Sequence, residues 1–278
     1  SAERIEEVLV TEPSIVDPAP GPAAGPDPNR LRGVVEFRDV EFTYPGAEAP
    51  VLKDISFTAR PGEVTAVIGS TGCGKSTLVN LIPRFYDVTG GAVLIDGIDV
   101  RNMTQEHLRD AVGFIPQKAF LFSGTVASNL RYGKEDASDD QLWAALDTAQ
   151  GREFVSEMPG QLRAPIAQGG SNVSGGQRQR LAIARALVKK PSIYVFDDSF
   201  SALDFRTDSR LRAALRATVQ DATVVIVAQR VSTIMDADRI VVLEDGLIVG
   251  TGTHDELMKS CDVYREIVHS QHAEEEIA

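Results

Sequence analysis

The first regular pattern along the chain is an alternation of apolar and polar residues over positions 34–42. Val35 and Phe37 alternate there with Glu36 and Arg38. A period of two residues is typical of a β-strand that buries one face. Residues 34–42 are therefore predicted to form a strand at the start of the folded body.

Further apolar runs follow at 51–58, 64–68 and 92–95. Pro61-Gly62 separates the first two runs and Asp96-Gly97 follows the third, and both dipeptides favour tight turns. A helix is predicted directly after the second run, over residues 76–82. This part of the chain is therefore predicted to be a mixed α/β lobe that is rich in strands.

Helical spacing of apolar residues predominates from residue 104 to about residue 188. Ser138 and Gln141 form a capping box, a common helix start, and Thr253 with Glu256 form another near the C-terminus. Behind the first box, one helical face carries Leu142, Trp143, Ala145, Leu146 and Ala149. Residues 104–188 are therefore predicted to be a helical insertion.

Two buried strands and one short apolar strand are followed by polar residues. The β-branched and aromatic run at 192–196 is followed by Asp197 and Asp198, and the run at 223–227 is followed shortly by Gln229. A carboxylate at such a strand end can hold Mg²⁺ through water, which is the role predicted for Asp197. The short strand near residue 114 ends at Gln117, whose carbonyl oxygen is a possible Mg²⁺ ligand.

A phosphate-binding pattern, GxxxxGK followed by Ser and Thr, comes directly after the run at 64–68. Glycines let backbone N–H groups wrap a phosphate chain, the lysine reaches the β- and γ-phosphates, and the first hydroxyl can bind Mg²⁺. The helix that begins near Gly74 directs its positive dipole end at the anion. The predicted nucleotide loop consists of Gly69, Ser70, Thr71, Gly72, Cys73, Gly74, Lys75, Ser76 and Thr77.

A second anion site is predicted at residues 174–177, directly before the apolar helix at 181–187. The sequence there is Ser174, Gly175, Gly176 and Gln177. Backbone N–H groups at such a helix start lack partners within the helix. One phosphate loop already satisfies a triphosphate, so this second site is predicted to serve a nucleotide held by another copy or partner. An ordinary glycine cap is the alternative interpretation.

Composition and charge narrow the class of partner. The 278 residues are 43% hydrophobic and carry a net charge of −12, with no basic stripe, which argues against a nucleic-acid partner. Cys73 and Cys261 are far apart in sequence, and a disulfide between them is not expected. No run of 18 apolar residues occurs in the sequence, so it contains no candidate transmembrane segment or signal peptide.

Three regions are predicted along the chain. Residues 1–9 have the pattern of the end of a helix that starts upstream, although a frayed terminal helix fits equally well. The proline-rich stretch that follows is predicted to be an extended linker, which completes a first region at 1–32. The folded domain is predicted at 33–270, and Glu274, Glu275 and Glu276 mark an acidic tail at 271–278.

The order of these motifs resembles the nucleotide-binding domain of ABC transporters of the exporter type. Tyr44 comes first, followed by the phosphate loop, Gln117, the segment 172–177 and the segment 196–204. The resemblance covers residues from about 33 to 270. It implies a P-loop NTPase of α/β class with a RecA-like core, an antiparallel β subdomain and an inserted α-helical subdomain.

The resemblance implies roles for the residues around the nucleotide. Tyr44 matches the aromatic residue that stacks on adenine, although a turn tyrosine commonly serves packing alone. Lys75 and Ser76 match the ligands of phosphate and Mg²⁺, so ATP and Mg²⁺ are the implied cofactors. Gln117 matches the glutamine that links Mg²⁺ to the contact with the membrane domain.

The remaining matches imply a dimer of two ATP-binding domains. Ser174, Gly175, Gly176 and Gln177 match the signature that closes over the opposite subunit's ATP. Asp204 matches the aspartate of the loop that crosses between the two domains. The implied partners are a transmembrane domain of the same polypeptide and a second ABC nucleotide-binding domain. The resemblance places the domain on the cytoplasmic face of the cell membrane.

Two departures from the family pattern bear on catalysis. Asp198 stands where the catalytic glutamate usually follows the Mg²⁺ aspartate, and one methylene less shortens its reach by roughly 1.3 Å. Gln229 stands where a histidine usually contacts the γ-phosphate, and glutamine carries neither a positive charge nor a transferable proton. Together they resemble the degenerate half of heterodimeric bacterial multidrug-type ABC exporters. The alternatives are a homodimeric exporter that hydrolyses ATP at both sites and a soluble ABC ATPase without transport activity.

Overall fold

The computed structural model describes residues 6, 9–10, 13–19 and 31–277. Most of the helix predicted over residues 1–9 and most of the predicted linker therefore lie outside the described residues.

The body of the chain contains alternating strands and helices. The strands are β1 (Val35–Phe42), β2 (Leu52–Ala59), β3 (Val64–Gly69), β4 (Gly90–Ile95), β5 (Ile98–Asp99), β6 (Val112–Ile115), β7 (Gly124–Thr125), β8 (Pro165–Ile166), β9 (Ile193–Asp197), β10 (Thr223–Val227), β11 (Arg239–Glu244) and β12 (Leu247–Gly252). The helices are α1 (Lys75–Asn80), α2 (Gln105–Ala111), α3 (Val126–Arg131), α4 (Asp139–Thr148), α5 (Arg152–Glu157), α6 (Gly175–Lys189), α7 (Phe205–Thr218), α8 (His254–Ser260) and α9 (Asp262–Ile277).

The strands form two main sheets and one small one. An antiparallel sheet has the order β2-β1-β4-β5, and a larger sheet has the order β12-β11-β3-β10-β9-β6. In the larger sheet all neighbouring strands are parallel except β11 and β12. Strands β7 and β8 pair by themselves. The carboxyl ends of the parallel strands meet at one edge of the large sheet, where ligands bind in open α/β folds.

The large sheet separates two hydrophobic cores, because successive side chains of a strand point to opposite faces. Tyr194 and Phe196 of β9 lie in one core, together with residues of α3, α4 and α6. Ile193 and Val195 of the same strand lie in the other core, with residues of the antiparallel sheet and of α1. Both faces are covered, which explains why β9 and β10 are continuously apolar rather than alternating.

The predicted strands are observed with shifts of one or two residues at their ends. The predicted helix at 76–82 is observed as α1, which ends at Asn80. The segment at 104–188 is not helical throughout, because β6 lies within it and pairs in parallel with β9 at the edge of the large sheet. The short apolar strand predicted near residue 114 is this β6. At the C-terminus, α9 continues to Ile277, so the predicted tail at 271–278 is helical over its described backbone.

Candidate functional site

The phosphate loop connects β3 to α1 and depends on glycine at three positions. Gly72 and Gly74 have φ values of 86° and 103°, a conformation that disfavours any residue with a Cβ atom. A Cβ atom on Gly69 would lie 2.0 Å from the carbonyl oxygen of Leu243 on β11. The loop can therefore curve tightly at the end of β3, with an internal bond from the N–H of Cys73 to the carbonyl oxygen of Ser70 at 3.4 Å.

Lys75 lies across this loop and is almost fully buried. Its Nζ donates to the carbonyl oxygens of Gly69 and Ser70 at 2.8 and 2.7 Å. Cys73 is also buried, with its Sγ 3.8 Å from the same Nζ. The only full positive charge in the loop is therefore held at its centre, where it can attract an anion.

Ser76 and Asp197 bring oxygen atoms together beside the loop. Ser76 Oγ donates to Asp197 Oδ1 at 2.8 Å, across the gap between α1 and the end of β9. Burial raises the pKa of the Asp197 carboxyl, while the hydrogen bond from Ser76 lowers it; the charge of Asp198 also raises it and that of Lys75 lowers it. Hydroxyl and carboxylate oxygens are ligands that Mg²⁺ accepts, so this donor set fits a magnesium ion.

Asp198 lies at the centre of a second hydrogen-bonded group. Its Oδ2 accepts hydrogen bonds from Gln117 Nε2 at 2.8 Å and from Gln229 Nε2 at 2.7 Å. The backbone of Asp198 has a φ of 45°, in the left-handed region, and its N–H donates to the carbonyl oxygen of Val227. The structure therefore brings together three predicted residues that follow β6, β9 and β10.

Tyr44 approaches α1 from the turn after β1. Its hydroxyl lies 2.9 Å from Thr77 Oγ1. Its ring makes edge contacts with Phe42 and Tyr86, with centroids 4.8 and 5.3 Å away. The position of the ring is thus fixed both by packing and by a hydrogen bond.

These groups surround one open cavity of about 410 Å³. Residues from the predicted phosphate loop and from the two glutamine positions line it. The lining residues are Tyr44, Val51, Thr71, Gly72, Gly74, Lys75, Ser76, Thr77, Gln117, Asp198, Val227 and Gln229. Asp197 lies directly behind this lining, through its bond to Ser76.

The second predicted anion site is separate from the cavity. Ser174 caps α6 in a complete capping box, in which Ser174 Oγ accepts from the N–H of Gln177 and Gln177 Oε1 accepts from the N–H of Ser174. Asp204 caps α7 by accepting from the N–H of Thr207 at 3.0 Å. Among the described residues that line the cavity, there is neither a residue of 174–177 nor Asp204.

Arg180 is a neighbour of the second site that the sequence analysis missed. Its guanidinium lies over the ring of Phe154, 4.7 Å from the centroid, and donates to the carbonyl oxygens of Gln150 and Gly176. Burial lowers the pKa of this guanidinium. The contacts with Phe154 and Gln150 connect α6 to α5 and to the residue shortly before it; they are distant in sequence, so no local pattern indicates them.

Comparisons with known proteins identify the family. A family model described as ABC transporter matches residues 52–201, more than half of the chain. The chain belongs to the ABC transporter family. The predicted fold class, an α/β ABC ATPase with an antiparallel β subdomain and added helices, is confirmed, as is the predicted class of enzyme, an ABC transporter ATPase domain.

Individual relatives agree with this assignment. An uncharacterized ABC transporter ATP-binding protein of Mycobacterium tuberculosis is 53% identical over 273 residues, 97% of this chain and 46% of that protein. The ATP-dependent lipid A-core flippase of Methylobacillus flagellatus is 43% identical over 243 residues, 87% of this chain and 42% of that protein. The solved structure of a bacterial Atm1-family ABC exporter with ATP bound has a TM-score of 0.90 and 35% identity, covering 97% of this chain and 47% of that one.

The chain spans about half the length of the curated relatives that it matches. Among the residues that the structure describes, no helix has both the length and the apolar character needed to cross a bilayer.

Proposed function

We propose that this ABC ATPase domain binds ATP together with Mg²⁺ as part of an exporter, and that its own nucleotide site hydrolyses ATP slowly. The cavity at the edge of the large sheet supports ATP binding, because a glycine loop, a helix N-terminus and Lys75 all face it. Tyr44, at the mouth of the cavity, would stack on adenine.

The oxygen atoms around Ser76 would hold Mg²⁺. Ser76 and Asp197 are already within hydrogen-bond distance, and Gln117 approaches from the end of β6. When bound, the ion supplies positive charge to the β- and γ-phosphates. The chain's own contribution is to fix these three side chains on the ends of separate secondary-structure elements.

The arrangement around Asp198 is the observation that carries the proposal of slow hydrolysis. Asp198 Oδ2 already accepts hydrogen bonds from two amide N–H donors, so both of its lone pairs are engaged and it is poorly placed to accept a hydrogen bond from an attacking water. Asp198 is also shorter than glutamate, and a displacement of about 1 Å from a reacting water can reduce a rate on the order of 10²-fold. Gln229 adds no positive charge at the γ-phosphate position.

Residues 174–177 support a head-to-tail dimer. They form a helix start with open space at Gly175, yet they lie outside the chain's own cavity. In a head-to-tail pair they would complete a site whose phosphate loop belongs to the other domain, with Asp204 near the crossing. We propose that this other domain is a different subunit that carries the glutamate and histidine which this chain lacks.

An exposed aromatic surface supports attachment to a transmembrane domain. Phe120, Phe122 and Tyr132 are exposed rings in contact with one another, exposed Phe85 contacts Phe114, and all five line one surface cavity. Exposed apolar clusters of this kind mark interaction sites. The relatives are named as a flippase and as exporters, so the proposed location is the cytoplasmic face of a membrane, with the transmembrane domain in the same polypeptide.

The proposal is tested by measuring ATP binding and steady-state ATP hydrolysis on the same samples. The wild type is expected to bind ATP with Mg²⁺ and to turn over very slowly. Asp198→Glu combined with Gln229→His is expected to raise turnover at least tenfold with little change in affinity. Lys75→Ala, which should abolish binding, is the control for contaminating ATPases.

Brisk hydrolysis by the wild type, with a second-order dependence on its concentration, would instead support a homodimeric exporter that uses Asp198 as its base. The third possibility, a soluble ABC ATPase acting on nucleic acid or ribosomes, is disfavoured by the net charge of −12.

A further inference from the structure

One side chain of helix α9, that of Gln271, makes two hydrogen bonds to the segment that carries Gln229. The backbone carbonyl oxygen of Gln229 accepts from Gln271 Nε2 at 2.6 Å. The N–H of Val231 donates to Gln271 Oε1 at 2.8 Å. Gln271 therefore holds the backbone on both sides of Arg230, directly beside the residue that bonds Asp198.

The conformation of Arg230 explains why one side chain can make both bonds. Its φ of −99° and ψ of 129° are those of a strand. In an extended chain the carbonyl of one residue and the N–H of the residue two positions later point to the same side. A glutamine amide offers one acceptor and a donor side by side, as a neighbouring strand does. After β10 ends, the amide of Gln271 thus makes the two hydrogen bonds that a neighbouring strand would otherwise make.

Helix α9 has anchors that do not depend on Gln271. Tyr264 is fully buried, and its hydroxyl lies 2.8 Å from His254 Nδ1. Val268 is buried in the same hydrophobic core. Removing the amide of Gln271 should therefore leave the helix in place and release only the segment 229–231.

We infer that Gln271 is a positioning residue for the nucleotide site. It fixes the backbone of residues 229–231 and, through it, the Gln229 side chain that bonds Asp198 Oδ2 at 2.7 Å. The inference rests on the proposed function, in which this cavity binds and slowly hydrolyses ATP. Gln271 does not itself line the cavity, so its loss should change turnover and leave ATP affinity unchanged.

Amide hydrogen exchange on the full-length protein tests the contact directly. Gln271→Leu has a similar volume and makes neither bond, so exchange at the Val231 amide is expected to become about tenfold faster. Gln271→Glu keeps the acceptor for Val231 but sets a carboxylate oxygen against the carbonyl oxygen of Gln229, so exchange should become faster, though by less than in Gln271→Leu. His269→Ala, an exposed position on the same helix, is the matched control. Unchanged exchange in Gln271→Leu would overturn the inference.

A double-mutant cycle tests whether Gln271 acts through Gln229. ATP turnover and ATP affinity are measured for Gln271→Leu, Gln229→Ala and the pair, in the wild-type and Asp198→Glu backgrounds. Gln271→Leu is expected to change turnover about 3- to 10-fold, with affinity within twofold, and to have no further effect when Gln229 is alanine. Additive effects would show that Gln271 acts elsewhere. Failure of the proposed function is distinguishable, because it would appear as brisk turnover of the unaltered protein.

Discussion

Tyr44 makes two interactions that substitutions can separate. The hydroxyl is 2.9 Å from Thr77 Oγ1, whereas the ring packs edge-on against Phe42 and Tyr86. The hydrogen bond orients the ring, but only the ring offers a surface for a purine. The two contributions therefore predict different results for phenylalanine and alanine.

Tyr44→Phe is expected to leave the Kd for ATP within about twofold, because the ring remains. Tyr44→Ala should weaken binding at least about fivefold, since stacking of a base on an aromatic side chain contributes roughly 1–3 kcal/mol. Isothermal titration calorimetry with ATP and Mg²⁺ measures both, with Tyr132→Ala as an exposed control. Equal losses in both Tyr44 variants would assign the effect to the hydroxyl instead.

The buried carboxylate of Asp197 lowers the free energy of unfolding of the ligand-free chain at neutral pH. Burial raises the pKa of its carboxyl, so the folded chain binds this proton more tightly than the unfolded chain does. The resulting stabilisation is complete below the ordinary aspartate pKa of 3.8 and is lost as pH rises through the raised value. At neutral pH the ligand-free domain therefore carries an unfavourable charge that a bound cation would offset.

Asp197→Asn is expected to stabilise the ligand-free chain at pH 7 by about 1 kcal/mol while weakening Mg²⁺-dependent ATP binding. It should also reduce the loss of stability between about pH 4 and neutral pH. Urea unfolding at several pH values measures this. Asp208→Asn provides the contrast, because it breaks a buried ion pair with Arg212 and should destabilise the chain. A destabilised Asp197→Asn would contradict the prediction.

At the scale of elements, the same capping device opens four helices with different consequences. Complete capping boxes begin α3, α4, α6 and α8, at Thr125, Ser138, Ser174 and Thr253. Only α6 continues with two glycines, and at Gly175 a Cβ atom would meet open space. The first turn of α6 therefore leaves space for a ligand beside its backbone.

Ser174→Ala is expected to lower the free energy of unfolding by about 1 kcal/mol, the usual contribution of an N-terminal cap. Ser174→Asp should retain stability, because aspartate also caps, but should place a negative charge where the partner's phosphates would lie. Ser138→Ala is the matched control, with the same loss of stability and unchanged ATPase activity of the assembled pair. Denaturation and ATPase assays on all three separate the two roles, and normal activity of Ser174→Asp would argue against the dimer geometry.

The capping boxes at Ser138 and Thr253 are predictable from sequence because their bonds span only three residues. The phosphate loop is predictable because its motif lies within nine consecutive residues, 69–77. In contrast, the bonds from Gln117 and Gln229 to Asp198 span 81 and 31 residues, so no local pattern indicates them. Sequence motifs predict each of these side chains as a site residue, but not that two amides share one carboxylate oxygen. Gln271 has no local pattern at all.

At the scale of the whole molecule, the proposed dimer divides each active site between two domains. A test needs a second copy of this chain that carries Asp198→Glu, Gln229→His and Ser174→Asp, so that only its own phosphate loop is competent. Mixed with the wild type, this copy should hydrolyse ATP. Introducing Ser174→Asp into the first chain should reduce turnover at least tenfold, because its signature completes the competent site.

Lys75→Ala in the first chain should reduce turnover of the same pair by no more than about threefold, because that lysine belongs to the slow site. ATPase assays at dimer-forming concentrations compare the two variants. The reverse order of effects would mean that each domain hydrolyses ATP without the other's signature.

The position of β10 in the large sheet affects the order in which the domain can fold during synthesis. β10 is synthesised after β3 and β9 but lies between them, paired in parallel with both. Until residues 223–227 insert, the strand that carries the phosphate loop and the strand that ends at Asp197 are not neighbours. A nascent chain on the ribosome therefore cannot assemble the nucleotide pocket from its earlier strands alone. We therefore expect ATP to stabilise the domain only after β10 is in place between β3 and β9.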